Sequence, residues 1–398
     1  MKLIINNYFN IFITIFFVSS GLTDVFISVS SLFFIFFLIF YKKKINIFNI
    51  SFILAILFCI QLLLSSYLSE FQNISFPRSI PYIRFIIFIC MGIYLIKNLQ
   101  SKLPINFIIF FLTFLSIDIL FQFLFGFDFF GFESINDGNI RNSGFYGDEK
   151  IAGSILCDMG MICLVLMKYK NLDKLRPFFF VLLQFFLLIS ILLTGERMAL
   201  IRYGTFLLIF NIFYLSSIGL YKKIIFIFLS ILIALIFILN NKNLTDKYRD
   251  IYYKVFNDQN EIIFFEQGHG LLWKSAYHVF LENKIIGSGP KTFRTSCEIN
   301  YLNASFNDIS YNERRNSICS THPHNYLFEL LSEVGLSGTL LFFFAMFFFY
   351  KHFVQINYMF LPVLIKFFPL FITNSYFHNY YAILICFMLI LSTLRIKN

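Results

Sequence analysis

The stretch CSTHPHNYLFELLSEVGLSGTLLFFF, residues 319–344, places two histidines and a proline directly before a long apolar run. The run contains two glutamates and two glycines, and it is long enough to cross the ~30 Å of hydrocarbon in a bilayer as a helix. Titratable groups at the start of such a helix lie where water meets lipid, and they are costly to place there without a use. The stretch therefore predicts a membrane span whose outer end carries chemistry.

The composition of the whole chain supports a membrane location. Of 398 residues, 58% are hydrophobic and 14% are charged, and the mean hydropathy is +0.75, which is too apolar for a soluble globular protein. We therefore predict an all-α polytopic membrane protein. Twelve apolar runs are long enough to span: 8–21, 25–41, 51–67, 82–97, 105–126, 150–168, 177–194, 198–217, 222–240, 325–350, 355–373 and 378–394.

Lysines and arginines collect on one set of loop ends, as they do on the cytoplasmic side of membrane proteins. Both termini are therefore expected in the cytoplasm. Residues 1–240 would hold nine spans with outer loops at 126–149 and 194–198, residues 241–323 a small helical outer subdomain, and residues 324–398 three spans. This bias explains much of the net charge of +10, so nucleic acid is not expected as a partner.

Cys297 and Cys319 differ from the other five cysteines, which lie inside predicted spans. Both are in the outer segment, where the surroundings would be oxidising. Either they form a disulfide that folds the segment back toward the histidines, or they are two unrelated free thiols.

Several common catalytic patterns are absent from the sequence. His269, His322 and His324 are not joined by cysteines or carboxylates at metal-ligand spacing, and there is no HExxH motif. A GxSxG elbow and the phosphate-binding or dinucleotide-binding glycine patterns are also missing. We therefore expect neither a metal nor another cofactor.

Cations near the outer ends of spans are the remaining polar candidates. Arg197 lies in a tight turn within LLTGERMALIRYG (192–204), and Arg202 lies in the helix that follows. Arg84 and Lys366 are within spans, and Arg141 is in the polar outer loop GFESINDGNIRNSGFYGDEKIAGS (131–154). Such cations suit an anionic ligand. The alternative for those in spans is snorkelling toward lipid headgroups.

Four stretches, in order over residues 141–338, resemble motifs of the O-antigen ligase and polymerase superfamily of bacterial inner membranes. HNYLFELLSEVGLSG (324–338) has the HNx9GxxG spacing associated with the ligases. TGERMAL is similar to the TGxR turn, ENKIIGSGPKTF (282–293) to the pattern PllGvGpgxF, and RNSGFYGDEKIAGS to RxxGxFxnpn.

This resemblance implies a GT-C type membrane fold and a metal-independent, inverting glycosyltransferase with its active site facing the periplasm. The implied donor is a glycan on undecaprenyl diphosphate, and the implied acceptor is a hydroxyl of lipid A-core or of another glycan. The ligase is the closer match, a polymerase that extends the lipid-linked chain is the alternative, and a lipid-glycan flippase or transporter is a more distant one.

By their motif positions, His324 is expected as the base that takes the acceptor proton, with an ordinary pKa near ~6.5, and Arg197 as the cation that stabilises the departing diphosphate. Gly335 and Gly338 are expected to let another helix approach. The expected substrate contacts are Arg141, Arg202, Arg84, His322, Asn325, Glu333, His269 and Arg294.

One position departs from the family pattern. Family members often have an arginine four residues before the tryptophan of the outer loop, whereas here His269 precedes Trp273. If that arginine normally binds diphosphate, either His269 substitutes for it or another cation, Arg294, Arg314 or Arg315, takes over.

Overall fold

The computed structural model describes residues 5–40, 49–136, 140–215, 264–266, 268–303 and 318–395, together with scattered positions between 219 and 255. Helices dominate this part of the chain. In chain order they are α1 (Tyr8–Val18), α2 (Ser20–Phe40), α3 (Ile50–Leu68), α4 (Gln72–Ser79), α5 (Ile83–Lys97), α6 (Ile105–Phe125), α7 (Ala152–Tyr169), α8 (Leu172–Leu175), α9 (Pro177–Thr194), α10 (Arg197–Ile209), α11 (Gly268–Glu282), α12 (Phe293–Asn303), α13 (Tyr326–Phe353), α14 (Asn357–Lys366) and α15 (Asn379–Ser392).

Short elements complete the described structure. A 3₁₀ turn, Ile80–Tyr82, joins α4 to α5, and a π-helical turn, Phe210–Tyr214, follows α10. Between α6 and α7, the two-residue strands β1 (Ile135–Asn136) and β2 (Ile140–Arg141) pair antiparallel. The remaining elements are two 3₁₀ turns, Gly144–Tyr146 and Phe264–Glu266.

The chain divides into two compact units. Unit one contains Met1–Lys102, Lys254–Ile356 and Phe367–Asn398, and unit two contains Leu103–Tyr253 and Asn357–Lys366. The described part of the outer segment from Phe264 onward, including α11 and α12, therefore lies within unit one. An independent subdomain over 241–323 remains a prediction.

Among the described residues, seven helices are long and apolar enough to cross a membrane. They are Ser20–Phe40, Ile50–Leu68, Gln72–Lys97, Ile105–Phe125, Ala152–Tyr169, Pro177–Thr194 and Tyr326–Phe353. The all-α, multi-pass class is thus as predicted, while the number of twelve spans remains a prediction.

Several predicted spans differ in length from the observed helices. The runs 8–21 and 378–394 form the shorter apolar helices α1 and α15. The run 355–373 yields only α14, because Pro369 disfavours helical backbone in the residue before it and cannot donate to a helical hydrogen bond. The run 198–217 is divided between α10 and its π-helical turn. The predicted span 222–240 falls largely outside the described residues.

In unit one, small residues let helices pack closely. An added Cβ at Gly92 of α5 would overlap the side chain of Ile390 of α15. Phe16 of α1 stacks on Tyr380 of α15, with ring centroids 4.4 Å apart. Aromatic stacking and backbone approach therefore hold α1, α5 and α15 together.

Unit two is built around α7. Every residue of this helix from Ala152 to Met167 is buried, because the helix packs against α6, α9, α10 and α14. Gly160 leaves room for the neighbouring helices, since a Cβ there would lie 3.2 Å from Leu187 of α9 and 3.3 Å from Tyr203 of α10.

Candidate active site

The helix α13 is interrupted at Gly335, which has φ 68° and ψ −173° within an otherwise helical run. A break of this kind leaves main-chain groups of the flanking turns without helical partners. Residues 284–289 supply those partners. Four main-chain hydrogen bonds join the two segments: Ser288 N–H to Ser332 O (2.9 Å), Gly289 N–H to Glu333 O (2.8 Å), Leu336 N–H to Lys284 O (2.8 Å) and Ser337 N–H to Ile285 O (3.1 Å). The stretch ENKIIGSGPKTF therefore docks into the stretch HNYLFELLSEVGLSG.

Glycine is required on both sides of this docking. Gly287 and Gly335 have positive φ, where L side chains are strained. An added Cβ would overlap the main chain of Glu333 at Gly287, and the carbonyl of Ile285 at Gly335. The expectation that Gly335 admits another helix is corrected by this geometry, because a loop approaches it and satisfies the broken turn.

Gly338 does face another helix. A Cβ at this position would lie 3.2 Å from Cγ of Gln61 in α3. The amide of Gln61 donates to the carbonyl of Val334 at 3.4 Å, and the hydroxyl of Ser65 donates to the carbonyl of Glu333 at 2.9 Å. The helix α3 thus contacts the broken turn directly.

His324 lies in the left-handed region, with φ 55°, at the corner that leads into α13. This conformation is costly for a residue with a side chain, and at functional sites it persists because the surroundings enforce it. One enforcing contact is the hydrogen bond from Thr373 N–H to His324 O at 2.8 Å.

The next residue, Asn325, fixes the start of the helix. Its Oδ1 accepts from Leu327 N–H (3.0 Å) and Phe328 N–H (3.3 Å), which makes it the N-cap of α13. Its Nδ2 donates to the carbonyls of Pro369 (2.6 Å) and Phe371 (3.3 Å). Asn325 was expected to contact substrate. Its buried amide is instead committed to holding the His324 corner.

Three histidine rings lie together here, and we call His269, His322, His324 and Thr373 the histidine corner. The ring centroid of His324 is 4.9 Å from that of His269 and 4.0 Å from that of His322. The structure thus brings together three histidines that are 2 to 55 positions apart in the sequence. Among the described residues, no group of three or more histidines, cysteines or carboxylates is arranged to hold a metal ion.

Both inner rings favour the neutral state. Burial, followed by the charges of His269 and Lys291, lowers the pKa of His324 to about 4. Burial, followed by the charges of His324 and Lys291, lowers the pKa of His322 well below its usual value. The expectation of an ordinary pKa for His324 is therefore corrected, because the ring is partly withdrawn from water and faces other cationic groups.

Lys291 contributes a cation that sequence reasoning missed. Its Nζ donates to Ser375 Oγ at 2.5 Å, and that hydroxyl donates to the carboxylate of Glu329 at 2.5 Å. Like His324, Lys291 has a positive φ, here 66°. The corresponding position in the pattern PllGvGpgxF is glycine, so a lysine there was the available signal.

The two glutamates of α13 bind protein groups. Glu329 also accepts from Tyr376 N–H at 2.7 Å. Glu333 accepts from the main-chain N–H groups of Lys291 (2.7 Å) and Phe293 (3.2 Å). Glu333 was expected to contact substrate. Its carboxylate is instead buried and caps the turn at Lys291, which it holds in place.

The other predicted cations of unit one lie in ion pairs. Arg84 contacts Asp24 at 2.6 Å and donates to Ser28 at 2.9 Å. The side chain of Arg294 is exposed and lies 3.6 Å from Glu298, one turn further along α12. Their roles in substrate binding remain predictions. Arg314 and Arg315 lie outside the described residues.

A disulfide joins Cys297 and Cys319, whose Cα atoms are 5.6 Å apart. The sequence left open whether these two cysteines form a disulfide or are free thiols, and the structure has the disulfide. The bond lies in a buried cluster with Leu272, Ala276 and Phe293, and thereby ties α11 and α12 to the segment that leads into the histidine corner.

Unit two contains a second polar site, the arginine turn, formed by Arg141, Glu196 and Arg197. Asn142 donates to Leu193 O at 2.7 Å, which fixes strand β2 at the end of α9. The carboxylate of Glu196 accepts from Gly153 N–H (2.7 Å) and caps the start of α7.

Glu196 lies between cations. Burial raises its pKa, while the hydrogen bonds from Ser154 and Gly153 and the charges of Arg202 and Arg141 oppose that rise. The half-buried Arg197 follows at the start of α10. The charge of Arg141 therefore acts on Glu196 in the TGER turn, and anion binding at this turn remains a prediction.

Deeper in unit two, Arg202 and Lys366 share one counter-ion. Asp158 of α7 accepts from Arg202 at 3.3 Å through Oδ1 and from Lys366 through Oδ2. Arg202 also donates to Ser154 Oγ at 3.3 Å. All three charged residues are buried. Lys366 therefore binds Asp158 inside the protein and does not extend toward lipid headgroups. Arg202 was expected to contact substrate, but its side chain forms an internal ion pair with Asp158.

The long apolar helices define a multi-pass membrane protein, and the comparison with known families identifies its class. Residues 181–343 match the family model described as O-antigen ligase. This segment is therefore similar to the O-antigen ligase family, and the resemblance predicted from the motifs is confirmed. The matched segment contains the TGER turn, the docked loop and the whole HNx9GxxG stretch. Comparison with curated proteins gave no match.

Proposed function

We propose that this protein is an O-antigen ligase-like glycosyltransferase of the bacterial inner membrane. It would move a polysaccharide from undecaprenyl diphosphate to a sugar hydroxyl of lipid A-core on the periplasmic side. The observation that carries the proposal is the docking of two family motifs, within the matched segment 181–343, around the strained corner at His324.

In this proposal His324 is the general base. A ring with a pKa of about 4 is neutral at pH 7, so it can accept a proton, although it is a weak base. Proton transfer is then favourable only as the acceptor oxygen bonds to the anomeric carbon, because that bond makes the hydroxyl proton acidic. The ring would therefore act in the transition state, and no free alkoxide would form.

The leaving group requires positive charge. As the acceptor oxygen forms its bond, the bond from the anomeric carbon to the diphosphate breaks, and the electron pair stays on a phosphate oxygen. Arg197 and Arg141 are assigned to stabilise this charge, since preorganised cations act most strongly where charge develops. Attack on the face opposite the diphosphate inverts the anomeric carbon.

The test is transfer by the purified full-length protein in lipid nanodiscs. The protein is offered an undecaprenyl-diphosphate glycan and lipid A-core, with and without a chelator. Glycan on lipid A-core in both conditions is the expected result. Loss of activity with chelator would contradict the metal-independent part of the proposal.

Two other products would change the assignment. A longer lipid-linked glycan, with nothing on lipid A-core, would make the protein an O-antigen polymerase. Movement of the lipid-linked glycan across a proteoliposome membrane, without a new glycosidic bond, would make it a flippase or transporter.

A further inference from the structure

We propose that Lys291, His322 and Thr373 form a binding subsite for an oxyanion of the substrate, next to His324. The identity of the substrates rests on the proposed glycosyl transfer, whereas binding of the anion itself does not.

The backbone of Lys291 is the first observation. A side chain at φ 66° is strained, and glycine at this position would avoid the strain. The pattern that this loop resembles has glycine at the same position. Lys291 is strained and charged at a position where glycine would be unstrained and neutral. This difference indicates that the charge has a function.

The position of the ammonium group is the second observation. An ammonium has three donors, and one of them binds Ser375 Oγ. The charge of Lys291 acts on both His322 and His324. The charge of Lys291 also acts on the buried carboxylates of Glu329 and Glu333, which accept from hydroxyl and main-chain donors. Lys291 thus brings positive charge to a corner whose two inner histidines are neutral.

Unsatisfied polar atoms are the third observation. Thr373 Oγ1 and His322 Nε2 are buried, and neither has a partner within hydrogen-bond distance and angle among the described residues. The main chain of Thr373 lies close enough to the His322 ring to act on its pKa. Buried polar atoms in native proteins nearly always have partners, so each exception needs an explanation. Thr373 belongs to the corner, since its N–H binds His324 O. Two such atoms beside a cation match what an oxyanion needs, namely hydrogen-bond donors and positive charge.

Two groups of the substrates carry suitable oxyanions. One is the diphosphate of the donor, and the other is a phosphate or carboxylate on the acceptor glycan. Both share the same chemistry, and the kinetic constants of the two substrates separate them.

The experiment uses the full-length protein in nanodiscs and four variants. Lys291→Gly removes the charge and relieves the positive φ, Lys291→Arg keeps the charge, and Thr373→Val removes only the hydroxyl. Gln100→Gly is the matched control, because Gln100 is an exposed residue with φ 50° in a loop between α5 and α6. For each variant we would measure kcat, both KM values, the Kd of inorganic pyrophosphate and the thermal unfolding midpoint.

Loss of a charged hydrogen bond weakens binding by about tenfold or more. Lys291→Gly should therefore raise one KM and the Kd of pyrophosphate by that factor, with an equal or higher unfolding midpoint. Thr373→Val should raise the same constants, Lys291→Arg should recover part of the loss seen in Lys291→Gly, and Gln100→Gly should resemble the wild type. A raised donor KM identifies the diphosphate as the bound group, and a raised acceptor KM identifies the acceptor anion.

Unchanged KM and Kd values in both Lys291→Gly and Thr373→Val would overturn the subsite. A lower midpoint and lower kcat in Lys291→Gly, with unchanged KM and Kd, would also overturn it and make Lys291 a counter-charge for Glu329. If the wild type transfers no glycan, the proposed function fails. The Kd of pyrophosphate still decides the subsite in that case.

Discussion

In unit two, both carboxylate oxygens of Asp158 are occupied by cations from neighbouring helices. In the histidine corner of unit one, His322 Nε2 and Thr373 Oγ1 are buried without a partner among the described residues. Both sites hold costly polar groups away from water, but the two carboxylate oxygens of Asp158 are satisfied by cations within the protein.

This difference separates a structural network from a site prepared for a ligand. Satisfied buried charges keep helices in place, and breaking them is costly. Unsatisfied groups next to a strained residue such as His324 are what we expect of a site that binds a ligand. The arginine turn is intermediate, because Glu196 caps a helix while it lies among the cations of a predicted anion site.

The largest expected effect is on His324. His324→Ala should lower kcat by about 100- to 10,000-fold, the usual contribution of a general base, while membrane insertion is retained. Transfer assays on nanodisc-embedded protein would measure this. His278→Ala, which changes an exposed histidine on α11, is the control and should match the wild type. Equal activity of the two variants would remove His324 from the reaction.

The arginine turn should give the next largest effect. Arg197→Ala should lower kcat by about 100- to 1,000-fold, because one preorganised group that stabilises developing charge is worth that much. Arg197→Lys should recover part of this loss. Arg176→Ala, an exposed arginine of unit two, serves as the control. A change confined to the unfolding midpoint would instead make Arg197 a structural residue.

Asp158 should affect stability and leave the chemistry intact. Asp158→Asn leaves Lys366 and Arg202 buried without their counter-ion, which should cost about 3–5 kcal/mol of unfolding free energy. Equilibrium unfolding in detergent would measure the loss. Asp246→Asn, in an exposed ion pair with Arg249, should change little. Normal stability with lost transfer would show that the Asp158 network takes part in catalysis.

The smallest expected effect is a displaced pH profile. Because the base must be neutral, kcat/KM should fall only as the pH drops toward about 4, where His324 becomes protonated. Stability should already decline as the pH falls from ~6.5 toward about 4, since over that range an unfolded histidine binds a proton and the folded His324 does not. Half-maximal activity near pH 6.5 would contradict the burial of His324.

Local features of the sequence were enough to predict the class and the candidate residues. Apolar run length predicted spans, and motif spacing pointed to His324, Arg197 and Gly338. The end of α14 before Pro369 and the break at Gly335 were missed. Lys291 was also missed as a site residue, because its neighbours Ser375 and Glu329 are distant in the chain.

By itself, the sequence determined that this is a multi-pass helical membrane protein with O-antigen ligase motifs, since hydrophobic length and residue spacing are properties of continuous segments. Only the tertiary structure decided which polar groups are satisfied. Asn325 became a helix cap, Arg202 became a partner of Asp158, and Lys291 became a partner of Ser375. Each outcome depends on contacts between residues far apart in the chain, where burial makes every unpaired polar group costly.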